Sequence, residues 1–308
     1  MSELLRIASR KSALALWQAN YVRNELIESH PALDVEILGF TTEGDRNQLD
    51  SLSKIGGKGV FLKELEHALL EGEADIAVHS MKDVPGVLPD GLEIGAICAR
   101  ADASDALVSR KDIGLSQLEE GSRIGTSSLR RRLQLLAMFP NLEYVDVRGN
   151  VDTRIHKLNT GDYDAIVLAT AGLCRLGLAG RITERISTDV CIPAAGQGAV
   201  GIECRSHDKR VRDLIAPLTD RRTEICLACE RKVTAHLNAD CSLPLAVYAT
   251  LSNDEIQIKS FVGDIKSPHV IRKSIKGLIH NGSQIAEELA ESLLADGAAS
   301  ILRGINES

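Results

Sequence analysis

The sequence predicts an α/β protein with a mostly parallel sheet, followed by a small α+β domain. Three observations carry this. Between Leu4 and Ala171, short apolar runs alternate with segments of helical period, joined by small polar turns, the pattern of strand-turn-helix units. After Leu245 the pattern changes to three alternating apolar segments and a last amphipathic stretch. A chain of 308 residues is too long for one ordinary core and calls for two or three domains.

Leu4 to Ala8 reads as the first strand, and Leu14, Trp17, Tyr21, Val22 and Leu26 mark the first helix, with Ser12 as its N-cap. Arg10 and Ser12 thus stand where helix donors attract negative charge. Val35 to Phe40 is the second strand. Thr41 to Gly59 is rich in glycine and polar residues and reads as a long mobile loop, a length that compact domains keep for function. Its Gly56-Gly-Lys-Gly59 lacks the G-x-x-x-x-G-K-[ST] spacing, which excludes a nucleotide phosphate loop. Phe61, Leu62, Leu65, Ala68 and Leu69 form an amphipathic helix. It leads to Asp75-Ile-Ala-Val-His-Ser-Met-Lys-Asp-Val-Pro85, a buried strand that closes at a proline.

Ile94 to Cys98 is a further strand, and charged Arg100 to Asp105 marks a crossing into a second domain. Ile124 opens a strand, followed by Ser127 or Ser128 capping a helix that Phe139-Pro140 ends. Tyr144 to Val147 is a strand, and Asn150 caps a helix that Gly161 terminates. Tyr163 to Ala171 is the next strand. Small-residue-rich Ile192 to Glu203 leads the chain back toward the first sheet, and Glu224 to Leu237 is helical. Leu245–Leu251, Ile256–Val262 and Val270–Ile275 are strands, and a final helix over Ile285 to Leu294 ends at Gly297.

Composition narrows the function. A net charge of -7 gives no general attraction to nucleic acid or anionic membrane, and 3% aromatic content leaves few stacking platforms. No apolar run is long enough to span a bilayer, and no secretory leader is visible, so the expectation is a cytoplasmic protein. Seven cysteines in such a chain are expected as thiols. Cys98, Cys174, Cys191 and Cys204 lie in apolar surroundings and are expected to be buried; Cys226 and Cys229 lie within a helix and read as ordinary thiols. Cys241 differs, because it lies in a turn, where a thiol is accessible for covalent work. The histidines show no ligand spacing, so no metal site is expected.

Two regions can carry chemistry. His79, Ser80, Lys82 and Asp83 end a strand, where α/β sheets bind ligands; they read either as an acid-base site or as a solvated turn. From Gly121 to Arg154, six arginines face three acids, a local charge of +3 in an acidic chain. Arg130 or Arg131, Arg148 and Arg154 fall near helix starts, where guanidinium forks and backbone donors add up to a site for a polyanionic small molecule.

Six stretches then resemble one family, in the right order and nearly end to end. They are Arg6 to Gln18, Gly56 to Glu66, Asp75 to Pro85, Gly125-Thr-Ser-Ser-Leu-Arg-Arg131, Arg148-Gly-Asn-Val-Asp-Thr-Arg154 and Pro193 to Cys204. The family is hydroxymethylbilane synthase, or porphobilinogen deaminase. The resemblance implies stepwise head-to-tail condensation of four porphobilinogen molecules, with release of ammonia, on a covalent dipyrromethane primer. It implies a monomer with two lobes like the periplasmic binding proteins, residues 1–99 with 199–217 and residues 104–193, and an α+β domain over 221–308. By the same resemblance Cys241 carries the primer as a thioether, although Ala239-Asp240 replace the family's usual Gly-Gly before it. Asp83 is the implied catalytic residue, protonating the departing amine and stabilising the cationic azafulvene that remains. Lys82, Asp83, Thr126, Ser127, Ser128, Arg130 and Arg131 are implied around the cofactor. Arg10, Ser12, Gln18, Arg148 and Arg154 are implied around substrate, and Lys54, Lys58 and Phe61 in a mobile loop that covers the cleft.

Overall fold

A computed structural model describes residues 3–42, 62–239, 243–267 and 269–306. In chain order the first elements are β1 (Glu3–Arg10), α1 (Ala13–Ser29), β2 (Leu33–Phe40), α2 (Lys63–Leu70), β3 (Ile76–Ser80) and β4 (Leu92–Ile97). Then come β5 (Asp105–Ser109), β6 (Arg123–Gly125), α3 (Leu129–Met138), β7 (Glu143–Val145), α4 (Val151–Asn159), β8 (Ala165–Ala169), α5 (Thr170–Arg175) and β9 (Glu184–Ile186). The chain closes with β10 (Val200–Arg205), α6 (Lys209–Ile215), α7 (Arg221–His236), β11 (Leu245–Ser252), β12 (Glu255–Gly263), β13 (Val270–Leu278), α8 (Gly282–Ala295) and α9 (Ala298–Asn306). Two compact units result, Met1–Ala101 with Ala199–Glu224, and Asp102–Gly198 with Ile225–Ser308.

In the first unit the sheet order is β2-β1-β3-β10-β4. β1 runs parallel to β2 and β3, whereas β10 runs antiparallel to both β3 and β4. Strand alternation divides the core between two faces. Leu5, Ile7, Ile76, Val78, Val200 and Ile202 pack with Val22 and Leu26 of α1, while Ala8 and Ala77 pack with Leu65 and Leu69 of α2.

The second unit repeats the plan in the order β7-β6-β8-β5-β9, with β6 parallel to β7 and β8, and β5 antiparallel to β8 and β9. Leu107, Ile124 and Val167 pack with Leu135 of α3 on one face, and Val108, Ile166 and Leu168 with Ile155 and Leu158 of α4 on the other. The same unit contains the antiparallel sheet β11-β12-β13, whose Val247, Ile258 and Ile271 pack with Val233 of α7 and Leu289 and Leu293 of α8.

Both larger sheets are therefore mixed, not mostly parallel. β10 reaches the sheet across a long excursion, without a crossover helix to return it to the starting end, so it enters beside β3 and runs back along it. β5, β9, α5, α6 and α9 lie outside the expectations, and the strand expected over Tyr163 to Ala171 spans only Ala165–Ala169, because the chain turns into α5 at Thr170. Cys174 is exposed where burial was expected, because α5 turns Thr170, Ala171, Gly172 and Leu173 inward instead. Cys98, Cys191, Cys204, Cys226 and Cys229 are buried. The long loop, with Lys54, Lys58 and Phe61, and the turn with Cys241 lie outside the described residues. Among the described residues no helix is long and apolar enough to cross a membrane, and no group of three or more His, Cys, Asp or Glu is arranged to hold a metal.

Candidate active site

The carboxyl ends of parallel β1 and β3 lie at one end of the first sheet, which brings Arg10 and Ser12 to the same end as Lys82 and Asp83. Ser12 caps α1, its Oγ accepting from the Ala15 amide at 3.4 Å. After β3 the chain makes one 3-10 turn, Met81–Asp83, and returns to extended backbone at Val84, as a residue before proline must. Three contacts hold that turn. The Met81 amide donates to Ala199 O at 3.1 Å. The Met81 side chain fills the space above Gly201, where a Cβ would lie 2.1 Å from its Sδ, so any larger residue there would displace Met81. Buried Gln18 donates from Nε2 to Ser80 Oγ at 2.8 Å. Lys82 and Asp83 are half-buried. Gln18, read from the resemblance as a substrate residue, thus has a partner inside its own unit.

In the second unit, β6 and β7 end side by side and open α3 and α4. Ser128 is the N-cap of α3, accepting from the Arg131 amide, and Asn150 is the N-cap of α4, accepting from the Thr153 amide at 2.9 Å. Ser127 instead ties the two loops together. Its Oγ donates to Val147 O at 2.5 Å and accepts from the Val147 amide at 3.2 Å. Thr126 is buried, its Oγ1 accepting from the Ser128 amide.

The arginines divide into two groups. Arg130 and Arg131 are buried and turned toward Asp105 at the start of β5. Arg130 Nη1 donates to Oδ2 at 2.8 Å, and Arg131 donates to Oδ1 from Nε at 2.9 Å and Nη2 at 2.7 Å. Gln197 Nε2 adds a further donor at 2.9 Å, and Cys191 Sγ lies at 3.3 Å. Burial alone would raise the Asp105 pKa; the charges of Arg130 and Arg131 outweigh it and hold the carboxyl well below its ordinary range. Burial, together with Asp105, pushes the Cys191 thiol up to about 12 and keeps it unreactive. Sequence reasoning found the arginines but not Asp105 or Gln197. The signal was an aspartate opening the short apolar run Ala-Leu-Val.

Arg148 and Arg154 form the second group. Arg148 Nη2 donates to Asp146 at 3.4 Å. Arg154 donates from Nε to Gly149 O at 2.8 Å, a carbonyl presented by a glycine at φ 111°, and has no carboxylate partner among the described residues. Burial lowers its pKa, and the charges of Arg131 and Arg148 lower it further, to about 10. Arg154 thus stands close enough to Arg131 and Arg148 to be repelled by both, a repulsion that a carboxylate beside it would relieve.

Two mixed α/β sheets thus each present charged groups at a strand end: Arg10, Lys82 and Asp83 in the first unit, and Arg148 and Arg154 in the second. The family model described as "Porphobilinogen deaminase, dipyromethane cofactor binding domain" matches residues 5–213, and the one described as "Porphobilinogen deaminase, C-terminal domain" matches residues 224–295. The chain belongs to the porphobilinogen deaminase family, whose members use a dipyrromethane cofactor in tetrapyrrole biosynthesis. Among solved structures it is similar to the methionine binding protein MetQ, at 15% identity over 72% of this chain and 92% of that one, with a TM-score of 0.42. It is also similar to the periplasmic VFT2 domain of BvgS from Bordetella pertussis, at 16% identity over 69% and 85%, with a TM-score of 0.41. A third similar structure is the aliphatic sulphonate binding protein SsuA from Escherichia coli, at 14% identity over 77% and 71%, with a TM-score of 0.40.

Proposed function

We propose that this chain makes hydroxymethylbilane from four porphobilinogen molecules, working as a cytoplasmic monomer, with Asp83 as its catalytic carboxylate and Cys241 as the thioether anchor of dipyrromethane. The observation that carries this reading is Arg154 beside Arg131 and Arg148, since Arg154 has no acid partner among the described residues and each pyrrole brings acetate and propionate arms. That demand for negative charge fits the carboxylates of the cofactor and of the arriving substrate. Lys82, Thr126, Ser127, Ser128, Arg130 and Arg131 would hold those of the cofactor, and Arg148 and Arg154 those of the substrate. When bound, dipyrromethane supplies the nucleophilic pyrrole carbon from which the chain grows.

The protein's own groups do the remaining work. Arg10 and Ser12 orient the incoming porphobilinogen near the end of β3, which Gln18 steadies through Ser80. Asp83 accepts hydrogen bonds from pyrrole N–H groups and fixes the reacting rings. As ammonia leaves the substrate, positive charge grows on its former aminomethyl carbon, and the Asp83 carboxylate opposes that charge at close range. A proton held at the same carboxyl can accompany the departing amine. Lys54, Lys58 and Phe61 belong to the segment assigned to covering the site.

The test is Asp83→Asn, which keeps the shape and removes the charge. It is expected to fold normally and lose turnover by ~10²–10³-fold, as loss of one preorganised electrostatic group does. Turnover near the unaltered rate removes Asp83 from the chemistry.

A further inference from the structure

β3 and β10 turn Ala77, His79, Gly201 and Glu203 toward α2, and two ionisable groups, His79 and Glu203, meet on that face. His79 Nε2 lies 2.8 Å from Glu203 Oε2, with side-chain exposures of 5% and 0%. The second oxygen of Glu203, Oε1, is buried and has no hydrogen-bond partner among the described residues. Such an oxygen is costly and calls for a donor. Glu66 of α2 is also buried. Burial raises its pKa, the charge of Glu203 raises it further, and His79 and Lys63 offset part of the effect. None of this belongs to the reaction described above, yet His79 stands four residues before Asp83, on the strand that presents it.

We propose that Glu66, Glu203 and His79 hold a proton in common beneath the Asp83 turn, and that this proton keeps Asp83 in position. The Glu66 carboxyl supplies the O–H donor that Glu203 Oε1 lacks, while Glu203 Oε2 stays on His79 Nε2. Two carboxyl groups sharing one proton attract; two carboxylates in the same buried space repel. With the proton in place, α2, β10 and β3 are tied together just before the turn. Without it, repulsion between Glu66 and Glu203 loosens the end of β3. The charged groups facing this proton are Glu203 on β10, His79 on β3 and Lys63 on α2. The three proton-sharing residues are positioning residues and touch no substrate.

The inference rests on the Asp83 reading, and the experiment separates the two. The full-length holoenzyme is labelled with ¹³C at glutamate side-chain carboxyls and titrated by NMR. The pH profile of kcat is measured alongside for the unaltered enzyme, Glu66→Gln and Glu203→Gln. One carboxyl titrating above the ordinary glutamate range is expected, absent from Glu66→Gln and moved downward in Glu203→Gln. Because glutamine stays neutral, the alkaline fall of kcat shifts to higher pH in Glu66→Gln, with KM unchanged. If no glutamate titrates above its ordinary range, the shared proton does not exist. If the carboxyl titrates as expected but the alkaline limb of Glu66→Gln matches the unaltered enzyme, the positioning role is overturned, while an inactive Asp83→Asn leaves Asp83 standing. Glu203→Gln is also scanned for thermal unfolding; should it fail to fold, the unaltered enzyme and Glu66→Gln decide alone.

Discussion

Replacing Asp105 with asparagine tests how the arginine cluster is organised. Asp105 is fully buried and takes three donors from Arg130 and Arg131, at 2.7 to 2.9 Å, and a fourth from Gln197 at 2.9 Å. Asparagine fits the space but brings no charge, and its amide nitrogen faces a guanidinium. Two buried cations then lose their counter-charge, a change that costs about 3–5 kcal/mol. For a cooperative unit of roughly 180 residues, each kcal/mol lowers Tm by about 2–4 °C, so the expected drop is about 6–20 °C at pH 7. The pH dependence has a definite sign. The folded pKa of Asp105 lies below its unfolded value, so its contribution is fully present above the ordinary aspartate range. It is lost as pH falls from that range toward the depressed folded value, and the gap between the two proteins narrows there. Differential scanning calorimetry at pH 7 and at successively lower pH reads both effects. A drop under about 2 °C at pH 7 would refute the claim that Asp105 neutralises the buried pair.

Arg154→Met should separate binding from stability. The guanidinium is desolvated and repelled by Arg131 and Arg148, so its removal leaves Tm unchanged or raised, while KM for porphobilinogen rises about ten- to hundredfold. Glu66→Gln should gain stability relative to the unaltered protein as pH rises. The raised folded pKa of Glu66 makes the native state lose stability from the ordinary glutamate range upward, and glutamine escapes that loss; urea midpoints at pH 5 and pH 9 check the sign. Ser128→Ala should cost about 1 kcal/mol through loss of the α3 N-cap, read as a urea-midpoint shift at constant slope.

What the sequence disclosed and what it hid follow from the range of each interaction. The caps at Ser12, Ser128 and Asn150 act on amides three residues away, so their own neighbourhood announces them. The return of β10 was legible as an apolar run after a stretch of small residues. Strand direction has no such local code. The mixed sheets depend on how β5, β9 and β10 enter, and β5 and β9 have too few residues for an alternating pattern to stand out. Within the candidate site the arginines were plain from charge density, whereas the pairing of Arg130 and Arg131 with Asp105 was not. Asp105 was hidden because its partners lie 25 and 26 residues further on, so nothing next to it marks it as a counter-charge. Glu203 was hidden for the same reason: it meets His79 across 124 residues, through the pairing of β10 with β3.

Intact-protein mass spectrometry after incubation with porphobilinogen tests the central claim most directly. The unaltered protein should carry a dipyrromethane adduct that grows in equal increments of one pyrrole unit, and Cys241→Ser should carry none. A bare chain that stays at its sequence mass, or a growing adduct that persists in Cys241→Ser, would contradict the account.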